Sequence, residues 1–339
     1  MTRRGKAKTD LPAQAAKVGE SLSLSRLHPA VRRWAETTRL RGPWCVAFSG
    51  GVDSLALLLL MRAHWPEREI VALHFNHRLR GRESAADERF CRKTCAGLGV
   101  RLRTGQWHDA AKDASEAEAR NARHEFFARE MKRLRSRALW LAHQQDDIAE
   151  TLLMRLARGS GTGGLAAPRP VHPTADGRVH LRPLLTLKKA ELLAAMRQAG
   201  ATWREDSSNA RDDYFRNRVR RIVLPAWAKA AGRDALAGAA LARERLEEDD
   251  QALELWVDSL APLGRDRQLD LRMLAGMPRA ITRRALHRWL LALRKPPDLS
   301  RQGFEILLAA VERGQPTRFS LGTRGFAVIG RGRLAFRKG

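Results

Sequence analysis

The chain has 339 residues, 44% of them hydrophobic, which is enough for about two domains with real apolar cores and excludes a disordered or fibrous protein. No apolar run approaches the roughly 18–20 residues that cross a bilayer, and the polar, basic stretch 1–25 has no apolar h-region, so neither a membrane span nor a secretory signal is expected. The 63 Lys and Arg residues against 37 Asp and Glu give a formal net charge of +26, which calls for a polyanionic partner, nucleic acid above all.

Residues 1–25 read as a flexible basic arm. From Trp44 to about Leu185, strand-like and helix-like segments alternate. The strands are Cys45–Phe48, Glu69–Asn76, Val100–Trp107, Ala138–Ala142 and Val179–Leu181. The helices are Ser54–His64, Ser84–Leu98, Glu116–Leu134 and Asp146–Arg158. This rhythm predicts an α/β fold with a doubly wound, mainly parallel sheet. Gly159–Gly164 reads as a flexible loop and Lys188–Gly200 as a helix. Arg216–Ala230 is a helix that Pro225 kinks or ends. Past Ala235 the pattern is helical, with Leu241, Leu246, Leu253 and Trp256 on one helix and further helices over Ile281–Leu293 and Gly303–Val311. The tail from Arg313 holds seven Lys/Arg and no acid, and its three strand-like pieces suggest a small basic hairpin. The expected domains are thus 1–25, 26–230 as the catalytic domain, and 231–339 as a helical nucleic-acid-binding domain with a short β tail.

Cys45, Cys91 and Cys95 make no disulfide framework. Cys91 and Cys95 lie four apart on a helix without nearby His, so zinc is not expected there. A reducing, cytoplasmic setting fits.

The chemistry concentrates where strands end and helices begin. Ser49-Gly50-Gly51-Val52-Asp53-Ser54 follows a buried strand and opens a helix, so its backbone N–H groups and the helix dipole form an anion site suited to phosphate. The lysine and spacing of a Walker P-loop are absent. Asp53 would repel a bare phosphate, and a Mg²⁺ between them resolves the conflict. At the second strand end, His74, Asn76, His77 and Arg78 could contact a base, ribose or phosphate, or form a solvated loop. At the fourth, His143-Gln144-Gln145-Asp146-Asp147-Ile148-Ala149-Glu150 sets three carboxylates on one helical turn. Such acids also suit the helix dipole without any function. Arg120 and Arg123 lie three apart on a helix. Glu205–Asn209 and Tyr214–Arg220 read as a substrate-gripping loop running into an Arg-lined helix.

The first of these motifs resembles the PP-loop of the N-type ATP pyrophosphatases, which split ATP to AMP and pyrophosphate. The others narrow the resemblance. His74-Phe-Asn-His-Arg-Leu-Arg with Ser84 and Asp87, Leu141 to Thr151 running on to Arg158-Gly-Ser-Gly, Arg182-Pro-Leu-Leu with Lys188 and Glu191, and Glu205-Asp-Ser-Ser-Asn with Tyr214, Arg216 and Asn217 occur in the order found in tRNA(Ile)-lysidine synthases. They cover roughly Trp44 to Pro225. Gln144 and Ile148 depart from the family pattern, and the tail is short beside the second C-terminal module of longer members.

The resemblance implies an enzyme that uses ATP and Mg²⁺ to join free L-lysine to the wobble cytidine of a tRNA(Ile) with a CAU anticodon. Homodimerisation stays open. It implies that Ser49, Gly50, Gly51, Val52 and Ser54 cradle pyrophosphate, that Asp53 holds the metal, and that His74 and Asn76 face the nucleotide. His143, Asp147 and Glu150, with Arg123 opposite, would bind lysine and stabilise charge. Arg120, Arg216, Asn217 and Arg220 would hold the tRNA. Two alternatives remain: a tRNA-thiolating PP-loop enzyme, which needs reactive cysteines, and a non-catalytic RNA-binding protein.

Overall fold

The computed structural model describes residues 10–78, 81–107, 115–205, 215–295, 297 and 299–338. Leu79, Arg80 and residues 206–214, which belong to two of the motifs above, lie outside them. The chain divides into two compact units, Met1–Arg245 and Leu246–Gly339.

The first unit opens with helices α1 (Leu11–Ser21) and α2 (Pro29–Thr37). Then come β1 (Trp44–Ala47), α3 (Val52–His64), β2 (Ile70–Asn76), α4 (Arg82–Gly97), β3 (Arg101–Gln106), α5 (Glu116–Arg133), β4 (Ala138–Trp140) and α6 (Gln145–Leu156). It continues through α7 (Thr162–Leu165), β5 (Val171–Pro173), β6 (Val179–Leu181), α8 (Lys189–Gln198), α9 (Phe215–Arg218) and α10 (Leu224–Ala230). The long α11 (Ala235–Leu260) crosses the division.

Six strands form one sheet in the order β3-β2-β1-β4-β6-β5, parallel throughout except for β5 against β6. The expected doubly wound α/β fold is met. β1 is apolar along its length because both of its faces are covered. Trp44 and Val46 join α1, α3 and α8 in one core, and Cys45 faces Val71, Leu73, Phe126, Phe127, Met131 and Leu139 in the other. Strand order reverses at β1, which pairs with β2 on one side and β4 on the other. Such a switch point leaves a crevice at the carboxyl ends of the two strands.

Four local expectations are corrected. Leu11–Ser21, within the supposed arm 1–25, is a helix: the Asp10 side chain accepts from Ala13 N–H at 3.1 Å, and Ala15, Val18 and Leu22 are buried. It packs so closely on α3 that a Cβ on Gly19 would stand 2.6 Å from Ala63 Cβ. Its short apolar stripe is hard to see among the surrounding basic residues. Thr162–Leu165 makes a helical turn within the glycine-rich loop. Pro225 does not end its helix, because a π-helical turn over Val219–Val223 precedes it and widens the coil where proline lacks an N–H. In the second unit the tail is more than a hairpin.

That unit holds the end of α11, β7 (Leu269–Asp270), α12 (Arg279–Ala292), α13 (Arg301–Arg313), β8 (Thr317–Ser320), β9 (Phe326–Gly330) and β10 (Arg333–Arg337). The strands form an antiparallel sheet ordered β7-β10-β9-β8. Ala327, Ile329 and Leu334 join Val257, Leu286, Trp289 and Leu307 in its core. Three acids of α11 pair with α12: Arg284 with Asp250 and Glu254 at 2.5 Å, and Arg288 with Glu254 and Asp258. Residues 246–312 carry 10 Lys/Arg against 11 Asp/Glu, so the positive excess of this unit sits wholly in its tail.

Candidate active site at the ends of β1 and β4

The loop after β1 is locked by its own hydroxyls. Ser54 Oγ donates to the Gly51 carbonyl at 3.0 Å, which uses its single proton, so it accepts from Ser49 N–H at 3.2 Å and from Ser49 Oγ at 3.0 Å. Gly50 has φ +88°, and a Cβ there would stand 3.2 Å from both Cys91 Sγ and Phe90 Cδ1. The positive φ calls for glycine there, and the two contacts leave a side chain little room. Arg204 crosses the loop, its N–H donating to the Gly50 carbonyl at 3.0 Å and its Nε to Asp87 Oδ1 at 2.7 Å.

His74 Nδ1 lies 3.0 Å from the Phe48 carbonyl, which can only accept, so Nδ1 carries the proton. Nε2 is then a bare acceptor, buried and without a partner among the described residues. Asn76 is differently placed. Its amide donates to Glu88 Oε2 at 3.1 Å and its oxygen accepts from Arg78 N–H at 2.9 Å, which commits it to the turn after β2.

After β4, Gln144 caps α6: its Oε1 accepts from Asp146 N–H at 2.6 Å, while its own N–H donates to Asp147 Oδ2 at 3.0 Å. Ile148 is buried with Leu185 and Leu224. The two departures from the family pattern thus serve the helix cap and the core. Arg216 and Arg220 converge on the carboxylates. Arg216 Nη2 donates to Asp147 Oδ1 at 2.7 Å and its Nε to Glu150 Oε2 at 2.9 Å. Arg220 donates to Glu150 Oε1 at 2.5 Å and Oε2 at 2.9 Å. Glu150 is 1% exposed. Burial opposes charge on Asp147, but Arg216, the Gln144 N–H and Arg220 outweigh it and hold the carboxyl below its ordinary value.

Asp53 joins the two halves. Its Oδ2 accepts from Lys189 Nζ at 2.6 Å, and Lys189 N–H donates to Asp146 Oδ2 at 3.0 Å, so the start of α8 is tied to both α3 and α6. Burial raises the Asp53 carboxyl above its ordinary value, with Lys189 opposing and the charge of Asp147 adding to the rise. Asp53 Oδ1 is buried with no hydrogen-bond partner among the described residues. One unsatisfied carboxylate oxygen beside the Ser49–Ser54 turn fits Mg²⁺, which takes one or two carboxylates and completes its shell with phosphate and water.

His143 is neutral. Burial and the charge of Arg182 push its imidazole down to about 3. The same causes hold His180 at about 3, burial and Arg120 hold His124 at about 4, and burial and Arg243 hold His28 at about 4. All four values are depressed, so the unfolded chain binds more protons than the fold. Their stabilisation is full above about pH 6.5 and is lost as pH falls toward 3–4. Each pH unit below 6.5 costs about 1.4 kcal/mol per histidine that stays neutral. The thermal midpoint should therefore hold level above about pH 6.5 and drop steeply from there to about 4.5. A level midpoint across that lower range would contradict neutral burial.

The PP-loop domain family matches residues 28–227. The tRNA(Ile)-lysidine synthase of Pseudomonas aeruginosa is 35% identical over 307 residues, covering 86% of this chain and 68% of that protein. The chain belongs to the tRNA(Ile)-lysidine synthase family. A second such synthase, from Geobacillus kaustophilus, is 35% identical over 310 residues, and the match spans 64% of its length. Among solved structures, the U34-tRNA thiolase NcsA from Methanococcus maripaludis with its 4Fe-4S cluster is similar in fold, with a TM-score of 0.53, 16% identity, and 69% of this chain and 78% of that one covered.

Within this family member, Ser49, Gly50, Gly51, Val52, Asp53, Ser54, His143, Asp147 and Glu150 gather at the crevice between β1 and β4. Arg216 and Arg220, expected at tRNA, turn to the carboxylates instead. Arg120 on α5 acts electrostatically on His143 and Arg182, while the charge of Arg123 acts on His124. Asn217 lies half-buried on α9 between Arg216 and Arg218. Lys189 and Arg204 are absent from the sequence-based site, because nothing in the chain separates them from 61 other basic residues.

Proposed function

We propose that this protein is an ATP-dependent ligase that forms lysidine at the wobble cytidine of a CAU-anticodon tRNA(Ile). The C2 oxygen of that cytosine attacks the α-phosphorus of ATP and pyrophosphate leaves. The ε-amine of free lysine then attacks C2, the C–O bond breaks with AMP as leaving group, and one proton is lost from nitrogen. An amide-like oxygen leaves poorly and AMP leaves well, which is the reason for spending ATP. The observation that carries this reading is the meeting of a phosphate-cradling turn and a buried carboxylate pair at one switch point, in a chain of this family.

The turn Ser49–Ser54 would hold pyrophosphate through its backbone N–H groups. Asp53 would hold Mg²⁺, which when bound neutralises phosphate charge. The bare Nε2 of His74 is an acceptor suited to an exocyclic amine of the nucleotide. Asp147 and Glu150 would draw the lysine ammonium toward the site. Only about one lysine amine in 2,500 is neutral at pH 7, and a carboxyl held as low as Asp147 is a poor base, so desolvation is the means left to free the amine. The deciding experiment incubates the protein with ATP, labelled lysine and tRNA and maps the label. Label at the wobble cytidine with matching pyrophosphate release is expected, and neither appearing would defeat the proposal.

A thiolase reading is disfavoured by the cysteines. All three are buried, and burial pushes Cys45 up to about 11, Cys95 to about 12 and Cys91 higher still.

In the second unit, Arg318, Arg324, Arg331 and Arg337 are exposed on the tail that carries the unit's net positive charge. Each arginine that contacts a phosphate adds about one unit to the salt slope of RNA binding. Replacing all four by glutamine should lower that slope by about two to four, whereas an unaltered slope would remove the tail from the interface. Point changes are needed because deleting the tail would take Ile329 and Leu334 out of the core.

A further inference from the structure

Arg182 directly follows β6 and is only 8% exposed. Its Nη1 donates to the Arg169 carbonyl at 2.7 Å, which anchors the guanidinium, and its Nε donates to His143 Nδ1 at 3.2 Å. A guanidinium has donors and no acceptor, so Nδ1 must be the bare nitrogen of the ring. The one polar hydrogen of a neutral imidazole then sits on Nε2, which has no hydrogen-bond partner among the described residues.

We infer that Arg182 is a positioning residue that locks His143 as a neutral hydrogen-bond donor, offering Nε2–H to a ligand oxygen that gains negative charge. His143 then serves neither as general acid nor as general base.

Most of the leading charges around the ring agree. Arg182 beyond β6, Arg216 on α9 and Arg120 on α5 disfavour a second proton, against Asp147 on α6. Asp147 is itself held by Arg216 at 2.7 Å and by the Gln144 N–H at 3.0 Å. Protonating Nδ1 would require expelling the Arg182 N–H and adding a cation beside three others. A neutral imidazole held in one tautomer can polarise an oxygen without giving up its proton. The inference rests on the proposed ligase reading only for the identity of that oxygen, which would be the one departing from C2 with AMP.

The test is the nitrogen NMR of the full chain labelled with ¹⁵N-histidine, with His143→Gln to assign the signal. In the unaltered protein, His143 should show a protonated Nε2, a bare Nδ1 and no titration between about pH 5 and 8. Arg182→Met should release the ring, which then mixes tautomers and titrates within that range. Lysidine turnover should fall by about tenfold to hundredfold, with the KM for each substrate within about threefold. Arg182→Lys, whose ammonium can still donate to Nδ1, should restore the tautomer and most of the turnover. A protonated Nδ1 or a titrating ring in the unaltered protein overturns the inference, as does an Arg182→Met ring that is unchanged. If Arg182→Met fails to fold, the unaltered protein and Arg182→Lys decide. If the ring behaves as expected but no variant makes lysidine, the ligase reading fails and the positioning role stands.

Discussion

Replacing Glu150 by glutamine is expected to destabilise the first unit by about 3 kcal/mol, a drop of roughly 6–12 °C in its thermal midpoint. The size follows from what the carboxylate does. Its two oxygens accept three guanidinium hydrogen bonds, from Arg216 at 2.9 Å and from Arg220 at 2.5 and 2.9 Å, and the residue is 1% exposed. Glutamine keeps the shape but replaces one oxygen with an N–H₂ that must face N–H donors. Two guanidinium groups are then left to share Asp147. Breaking a buried pair costs about 3–5 kcal/mol, and the lower end applies because the Arg220 side chain is 39% exposed and can rehydrate. A shift below about 2 °C would mean that the arginines are held by something else. Asp147→Asn makes a useful companion, since its amide oxygen can still accept from the Gln144 N–H and keep the α6 cap while losing the charge.

Asp53→Asn should behave in the opposite way, with stability nearly unchanged and ATP cleavage reduced at least about 100-fold. Burial already raises the Asp53 carboxyl, so the fold gains little from its charge. Lys189, the partner it would lose, has a side chain 34% exposed and can turn to water. Asparagine therefore leaves no strongly buried cation behind, and a change within about 1 kcal/mol is expected. Catalysis has no such escape. Asp53 Oδ1 is a buried oxygen with no hydrogen-bond partner among the described residues, at the helix end of the Ser49–Ser54 turn, and an amide there would neither hold a cation nor balance one. Pyrophosphate release and thermal unfolding, measured on the same preparation, separate the two effects. Activity within tenfold of the unaltered protein would show that Asp53 does not serve the nucleotide.

The two substitutions separate what was legible in the chain from what was not. By itself the sequence determined the α/β class, because apolar runs such as Trp44–Phe48 and Ile70–Leu73 alternate with helical stripes, and that periodicity is local. It also determined the turn at Ser49–Ser54, whose glycine at φ +88° and paired serines are contiguous in the chain. It placed Asp147 and Glu150 on one helical turn, since a spacing of three fixes their shared face.

What the tertiary structure alone decided is which charges meet. Arg216 and Arg220 lie 66 and 70 residues from Glu150, Lys189 lies 136 from Asp53, and Arg182 lies 39 from His143. An arginine looks the same in sequence whether it reaches RNA or a buried carboxylate, and in a chain with 63 basic residues neither spacing nor composition can choose. The helix Leu11–Ser21 was hidden for a related reason: two buried apolar residues, Ala15 and Val18, with Leu22 just past the end, suffice once α3 supplies the facing surface. Patterns within one element are set by backbone geometry and can be read along the chain, whereas partnerships between elements are set by the strand order that brings β1 beside β4.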